Sequence, residues 1–155
     1  MSNLRSRPDQ EPGGLPHLSV VIPAYNESGY LATTLEALAP LKSRYNFEVI
    51  VSDDSSEDET AHQAAAYCDK LVVARPDDPH GPAAARNRGA AQSSGELLIF
   101  LDADIQIEEP DRFFSRVAKA FADQRVIAAC CGLAVRPEEA RWTEKVFHCL
   151  QPQRP

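Results

Sequence analysis

The sequence contains no apolar stretch of the ~18 to 20 residues that a membrane-spanning helix needs. Residues 97–101 form only a short burst, and Gly132 interrupts the run over 126–135. An excess of positive charge is also missing. The 16 Lys and Arg residues are outnumbered by 23 Asp and Glu, a net charge of −7, which argues against a general binder of nucleic acid or anionic membranes. The four cysteines, Cys68, Cys130, Cys131 and Cys149, include no C-x-x-C pair. Two of them adjoin inside an apolar run, so buried free thiols are expected rather than a metal or disulfide framework. The four histidines, His17, His62, His80 and His148, show neither metal nor triad spacing. Residues 1–17 carry prolines, glycines and arginines without an apolar segment, and are expected to be a disordered leader rather than a secretory signal. Together these absences favour a cytoplasmic location, and peripheral attachment to a membrane stays open.

What is present is a globular composition. With 43% apolar and 25% charged residues, the chain can bury a core, which excludes wholesale disorder. One α/β domain is expected over 18–150, with a tail over 151–155. The run LSVVIP (18–23) is a short, β-branched segment ending at proline, the pattern of a strand covered on both faces. Leu31, Leu35 and Leu38 then recur at i, i+4 and i+7 before Pro40, which predicts a helix. Strands are expected at 47–52, 71–74 and 96–101. Between them, alanine-rich stretches predict helices at 60–67 and 83–92. Pro110 and Asp111 open a further helix with Phe114, Val117 and Phe121 on one face. Residues 126–135 are expected to be extended, and 137–150 a last helix. Such alternation predicts a mostly parallel sheet with ligands at the carboxyl ends of its strands.

The polar motifs fall at those ends. In LDADI (101–105), alternation points Asp102 and Asp104 to one side, where two carboxylates repel unless a cation neutralises them. A hard divalent ion, Mg²⁺ or Mn²⁺, completed by water and substrate phosphates, suits such a pair; solvated loop aspartates are the plainer alternative. In DDSSEDET (53–60), Ser55, Ser56 and Asp58 are good helix N-caps, which leaves Asp54 as the member able to accept hydrogen bonds from the amide or imide edge of a base. GPAAARNRG (81–89) offers Gly81 for close backbone approach and Arg86 for a diphosphate, while Arg88 reads as a surface charge. Tyr25 adds a ring on which a base could stack.

Taken in order, SVVIPAYNE (19–27), VIVSDDSS (49–56) with Asp58 and Thr60, ARNRG (85–89) and FLDAD (100–104) resemble the family 2 glycosyltransferases of the GT-A fold, over roughly residues 18–135. The resemblance implies a Rossmann-like GT-A half-domain, its mostly parallel sheet flanked by helices, that binds a nucleotide-sugar donor, with a UDP-sugar expected. It implies inverting transfer to an acceptor hydroxyl. Residue by residue, it places Tyr25 and Asp54 at the base, with Pro23 and Glu27 lining that pocket. Asp104 falls on the metal, and Asp102 near the ribose or the metal shell. The family's general base lies on a later segment. Asp111, Asp123, Glu138, Glu139 and Glu144 follow Asp104, but in settings of helix starts and exposed faces, so none is assigned as the base. Ser55 and Glu59 also stand where the family usually has glycines.

The expectation is therefore the donor- and metal-binding portion of a transferase, truncated before the acceptor half. A non-catalytic nucleotide-sugar-binding module working with a partner chain is the competing class. A metal-dependent nucleotidyltransferase is disfavoured, since no Gly-rich, basic loop follows the first strand.

Overall fold

The computed structural model describes residues 16–123 and 125–130. Among these, strands and helices alternate: β1 (Leu18–Ala24), α1 (Leu31–Leu38), β2 (Phe47–Asp53), α2 (Thr60–Tyr67), β3 (Lys70–Val73), α3 (Pro82–Ala91), β4 (Leu97–Phe100) and α4 (Pro110–Phe121). A 3-10 turn, Ala39–Ser43, carries the chain past Pro40. The sheet is wholly parallel in the order β3-β2-β1-β4. Its two central strands are almost completely covered, which is why their sequences show continuous apolar runs instead of alternation.

Two faces of the sheet are built differently. Leu18, Val20 and Ile22 join Val49, Val51, Leu31, Leu35, Leu38 and Phe114 in the main core. On α1 the buried positions are Leu31, Thr34, Leu35 and Leu38, a helical stripe with one polar member. Val21 faces the other way, toward α3. A Cβ at Gly89 would stand 2.4 Å from Val21 Cγ1, so only glycine lets this helix lie so close to β1. Phe114 of α4 is fully buried and stacks on Tyr45 with ring centroids 4.0 Å apart. Asp111 accepts hydrogen bonds from Arg44 (2.5 Å) and from the Tyr45 hydroxyl, fastening the start of that helix.

At the amino ends of the strands sits a buried polar knot. Glu48 Oε1 accepts from Ser19 Oγ (2.7 Å) and from Ser94 N and Oγ (2.6 and 2.7 Å), and Lys70 Nζ lies 2.9 Å from Oε2. Burial alone would raise this carboxyl, but those donors outweigh it and hold the pKa at about 2. The knot ties the turn before β4 to β1 and β2.

The chain forms two compact units, Met1–Ala118 and Lys119–Pro155. In the described part of the second, Asp123 pairs with Arg125 at 2.8 Å. Residues 126–130 form no strand, so the extended run expected over 126–135 has no sheet partner in its described half. This corrects the expectation for Cys130, which is exposed because no sheet neighbour covers it, while Cys68 is partly buried. The bulk of the expected leader, the helix over 137–150, the tail, Cys131 and Cys149 lie outside the described residues.

Candidate functional site

Register brings the carboxyl ends of three strands together. Ala24 pairs with Asp53 and Val21 with Phe100, and the order of strands reverses between β1 and β4. A crevice at such a switch point is where parallel α/β sheets receive ligands. Here it is a cleft of about 360 Å³, and Pro23, Tyr25, Glu27, Asp54, Arg86, Asp102 and Asp104 all line it. These are the seven residues singled out from sequence, so the fold gathers them in one place.

The loops after β1 and β2 are laced to each other. Ser56 Oγ accepts from Asn26 N (2.9 Å), Thr60 Oγ1 from Glu27 N (2.8 Å) and Asp58 Oδ2 from Ser28 N (3.2 Å), while Glu57 N donates to Asn26 Oδ1 (2.9 Å). Ser56 and Asp58 thus hold the neighbouring loop, and no side chain caps α2 at its Glu59 N-cap. The hydrogen bonds from Thr60 and Ser28 keep the Asp58 carboxyl well below its usual range. Asp53, nearly fully buried, accepts from Ser56 N and Oγ and serves the loop rather than the cleft. Ser55 adopts φ +65°, the left-handed conformation for which glycine is the usual choice, and its hydroxyl donates to Ala74 O (3.1 Å).

Asp54 is the most constrained of the lining carboxylates, 8% exposed. Gly81 N donates to its Oδ2 (2.7 Å), and Arg88 Nη2 to its Oδ1 (3.0 Å), with His80 Nδ1 3.2 Å from the same oxygen. Burial would raise its pKa, but the Gly81 N–H, then Arg88 and His80, outweigh it and keep the group ionised as a pure acceptor. Arg88 also donates to Pro79 O (2.9 Å). Its side chain is only 15% exposed, so the expectation of a surface charge is overturned. Sequence reasoning missed this residue because a helical arginine two positions from another falls on a different face. The buried acceptor it would need, Asp54, is brought near only by the sheet. Gly81 has φ +97° and open space around its Cβ position, so dihedral freedom rather than crowding accounts for the glycine.

On the other side of the cleft, Arg86 Nη2 meets Asp102 Oδ1 at 2.5 Å. Leu101 and Ala103 are buried, and Asp102 and Asp104 are exposed, so the two carboxylates do alternate outward. Asp104 makes no hydrogen bond or ion pair among the described residues. Glu27 is raised, first by burial and then by repulsion from Asp104, Asp58 and Asp102. No three His, Cys, Asp or Glu side chains are grouped closely enough among the described residues to hold a metal by themselves. The donor set still fits a hard cation. One unpaired carboxylate, a second beside it and a negative local field suit Mg²⁺ or Mn²⁺, which keep water and substrate oxygens in their shell. Of the later acids, Asp111 is engaged by Arg44 and Tyr45 and held below its ordinary value by them, and Asp123 by Arg125. Glu138, Glu139 and Glu144 lie outside the described residues.

The parallel sheet flanked by helices, with carboxylate-bearing loops at its switch point, is a Rossmann-like α/β fold of GT-A type. The chain belongs to glycosyl transferase family 2, whose model matches residues 19–153. It is 43% identical over 96 residues to glycosyltransferase AglE of Haloferax volcanii, covering 58% of this chain and 31% of that protein. Over 146 residues it is 35% identical to dolichyl-phosphate beta-glucosyltransferase of Mus musculus, covering 84% and 44%. Glucosyl-3-phosphoglycerate synthase from Mycobacterium tuberculosis, solved with Mn²⁺, uridine diphosphate and glucosyl-3-phosphoglycerate, superposes with a TM-score of 0.51 at 29% identity, over 59% of this chain and 36% of that one. Another complex of that enzyme holds Mn²⁺, UDP-glucose and phosphoglyceric acid. The chain spans less than half the length of these proteins. No described helix is long and apolar enough to cross a membrane.

Proposed function

We propose that the chain is the donor-binding part of an inverting glycosyltransferase, which holds a nucleotide sugar, most suitably a UDP-sugar, for transfer to an acceptor hydroxyl. The observation that carries this reading is one cleft with two distinct carboxylate stations: the acceptor-only Asp54 on one side and the Asp102–Asp104 pair on the other. An ionised, buried Asp54 suits the imide N–H of uracil, which must donate, and disfavours a base that presents an acceptor there. The Tyr25 ring is 55% exposed and available for stacking. Pro23 and Glu27 complete that wall.

Arg86 leaves the first turns of α3, and Gly81, Pro82 and Ala85 of the same region line the cleft. The positive end of the helix and a guanidinium together suit a diphosphate. Asp104, with Asp102, would hold Mn²⁺ or Mg²⁺. Bound there, a divalent ion would supply charge stabilisation for the leaving diphosphate. Direct displacement also needs a base within hydrogen-bond reach of the acceptor hydroxyl. None of the described residues is assigned that role; on this reading the base and the acceptor site would be supplied by the remaining chain or by a partner chain. The free thiols of Cys68 and Cys130 favour a cytoplasmic setting.

Calorimetry with UDP, CDP and ADP, each with Mn²⁺, tests the donor reading. UDP should bind at least ~10-fold more tightly than CDP, the scale set by one unpaired buried acceptor. Equal affinities would refute the uracil assignment. A labelled UDP-sugar assay on the 155-residue chain separates the two classes: binding without turnover means that the base lies elsewhere, and robust transfer means that the chain contains it.

A further inference from the structure

The Asp102–Ala103–Asp104 turn begins where the sheet stops helping. Parallel pairing of β4 with β1 ends at Phe100, and the last backbone bond on that side is Leu101 N to Val21 O at 3.1 Å. Beyond it, two hydrogen bonds to backbone carbonyls hold the turn, besides the exposed Arg86–Asp102 pair. Ile105 N donates to Asp102 O (3.1 Å), and the Thr34 hydroxyl of α1 donates to Ala103 O at 2.6 Å. Thr34 is 2% exposed and Ala103 3%, so this bond crosses the core between residues 69 positions apart. Ala103 O is the hydroxyl's hydrogen-bond partner among the described residues; the Thr34 amide donates separately to Tyr30 O, and the other members of the buried stripe are leucines. A threonine in that stripe brings a buried polar group that stays only where it finds a partner.

We infer that Thr34 is a positioning residue: its hydroxyl fixes the carbonyl of Ala103 and so sets the direction in which Asp102 and Asp104 leave the turn on either side. The consequence for a bound cation rests on the donor reading above, whereas the fixing of the turn does not. Two carboxylates that share a cation must be held to within a fraction of an ångström, and a turn without ladder partners does not supply that by itself. The core supplies it through one hydrogen bond.

The test compares Thr34→Val, which keeps the shape and removes the donor, with Thr34→Ser, which keeps the donor. Hydrogen exchange at the Ile105 amide is read in the ligand-free chain, and UDP affinity is read with Mn²⁺ and with a chelator. Exchange at Ile105 should speed up about fivefold or more in the valine variant, the scale of one lost hydrogen bond, and return toward wild type in the serine variant. The Mn²⁺-dependent part of UDP affinity should fall by a similar factor, with chelator-phase affinity and the thermal midpoint of the serine variant unchanged. Unaltered Ile105 exchange in a folded Thr34→Val protein overturns the inference. Faster exchange in a chain whose wild type shows no metal dependence upholds the positioning and sinks the metal reading instead. If the valine variant does not fold, the serine variant decides: slow Ile105 exchange with full metal dependence is expected, and loss of both despite the retained hydroxyl contradicts the inference.

Discussion

Arg86 and Arg88 leave the same helix two residues apart, and each ends on an aspartate that lines the cleft. Their surroundings differ. The Arg88 and Asp54 side chains are 15% and 9% exposed, and the guanidinium is committed at once to Asp54 and to Pro79 O. Arg86 and Asp102 are 34% and 51% exposed and share a single contact. A buried pair cannot lose one partner without leaving an uncompensated charge, whereas an exposed pair is screened and exchanges readily with water or with a ligand. One helix therefore presents a fixed arm and an exchangeable arm, which on the proposed reading face the base and the diphosphate. Arg86 is the counter-ion of Asp102, a contact that a diphosphate and a cation binding there would compete with.

The sharpest way to break the comparison is Arg88→Met. It should destabilise the chain by about 3 kcal/mol, the cost of stranding a buried carboxylate, and should remove most UDP binding. A urea midpoint equal to wild type would show that Asp54 does not need its partner. Glu48→Gln is the control away from the cleft, since it loosens a second knot around a comparably buried carboxylate at the opposite ends of the strands. The folded pKa of about 2 lies below the ordinary value of 4.5, so the carboxylate's contribution is present above pH 4.5 and fades as pH falls toward 2. At neutral pH that contribution is about 3 kcal/mol. The variant should therefore be weaker near pH 7 and converge on wild type near pH 2, with UDP affinity unchanged while folded. A loss that is the same at every pH would rule the charge out as the cause.

Arg86→Met should change stability by less than about 0.5 kcal/mol, as for other exposed pairs. UDP affinity should fall by about fivefold in low salt and less in high salt, with uridine affinity untouched. Mn²⁺ alone should bind no more weakly than to wild type, because Asp102 is released. A loss of uridine binding equal to that of UDP would place Arg86 on the base side and dissolve the distinction.

The strands and the helices through α4 were legible because each rests on local pattern: continuous apolar runs for central strands and a leucine stripe for α1. Asp54, Asp102 and Asp104 stood out as polar residues just past strand ends, whereas Pro23 and Glu27 were singled out only by the family resemblance. What escaped depends on contacts made far along the chain. Arg88 reads as solvent-facing until β2 brings Asp54 beneath it. Thr34 reads as a gap in the leucine stripe until Ala103 arrives from 69 residues away. Its signal was available in principle, as a polar side chain at i+3 between Leu31 and Leu35. Cys130 failed in the opposite sense, because an apolar run promises burial only if a sheet partner exists.

The central claim is that the two sides of the cleft cooperate on a metal-bound nucleoside diphosphate. Titrating UDP into the wild-type chain and into Asp104→Ala, each with Mn²⁺ and then with a chelator, tests it most directly. Wild type should bind UDP at least ~10-fold more tightly with Mn²⁺, on the scale of one charge-assisted contact to phosphate, and Asp104→Ala should bind it equally in both conditions. Equal wild-type affinity with and without the metal would contradict the account.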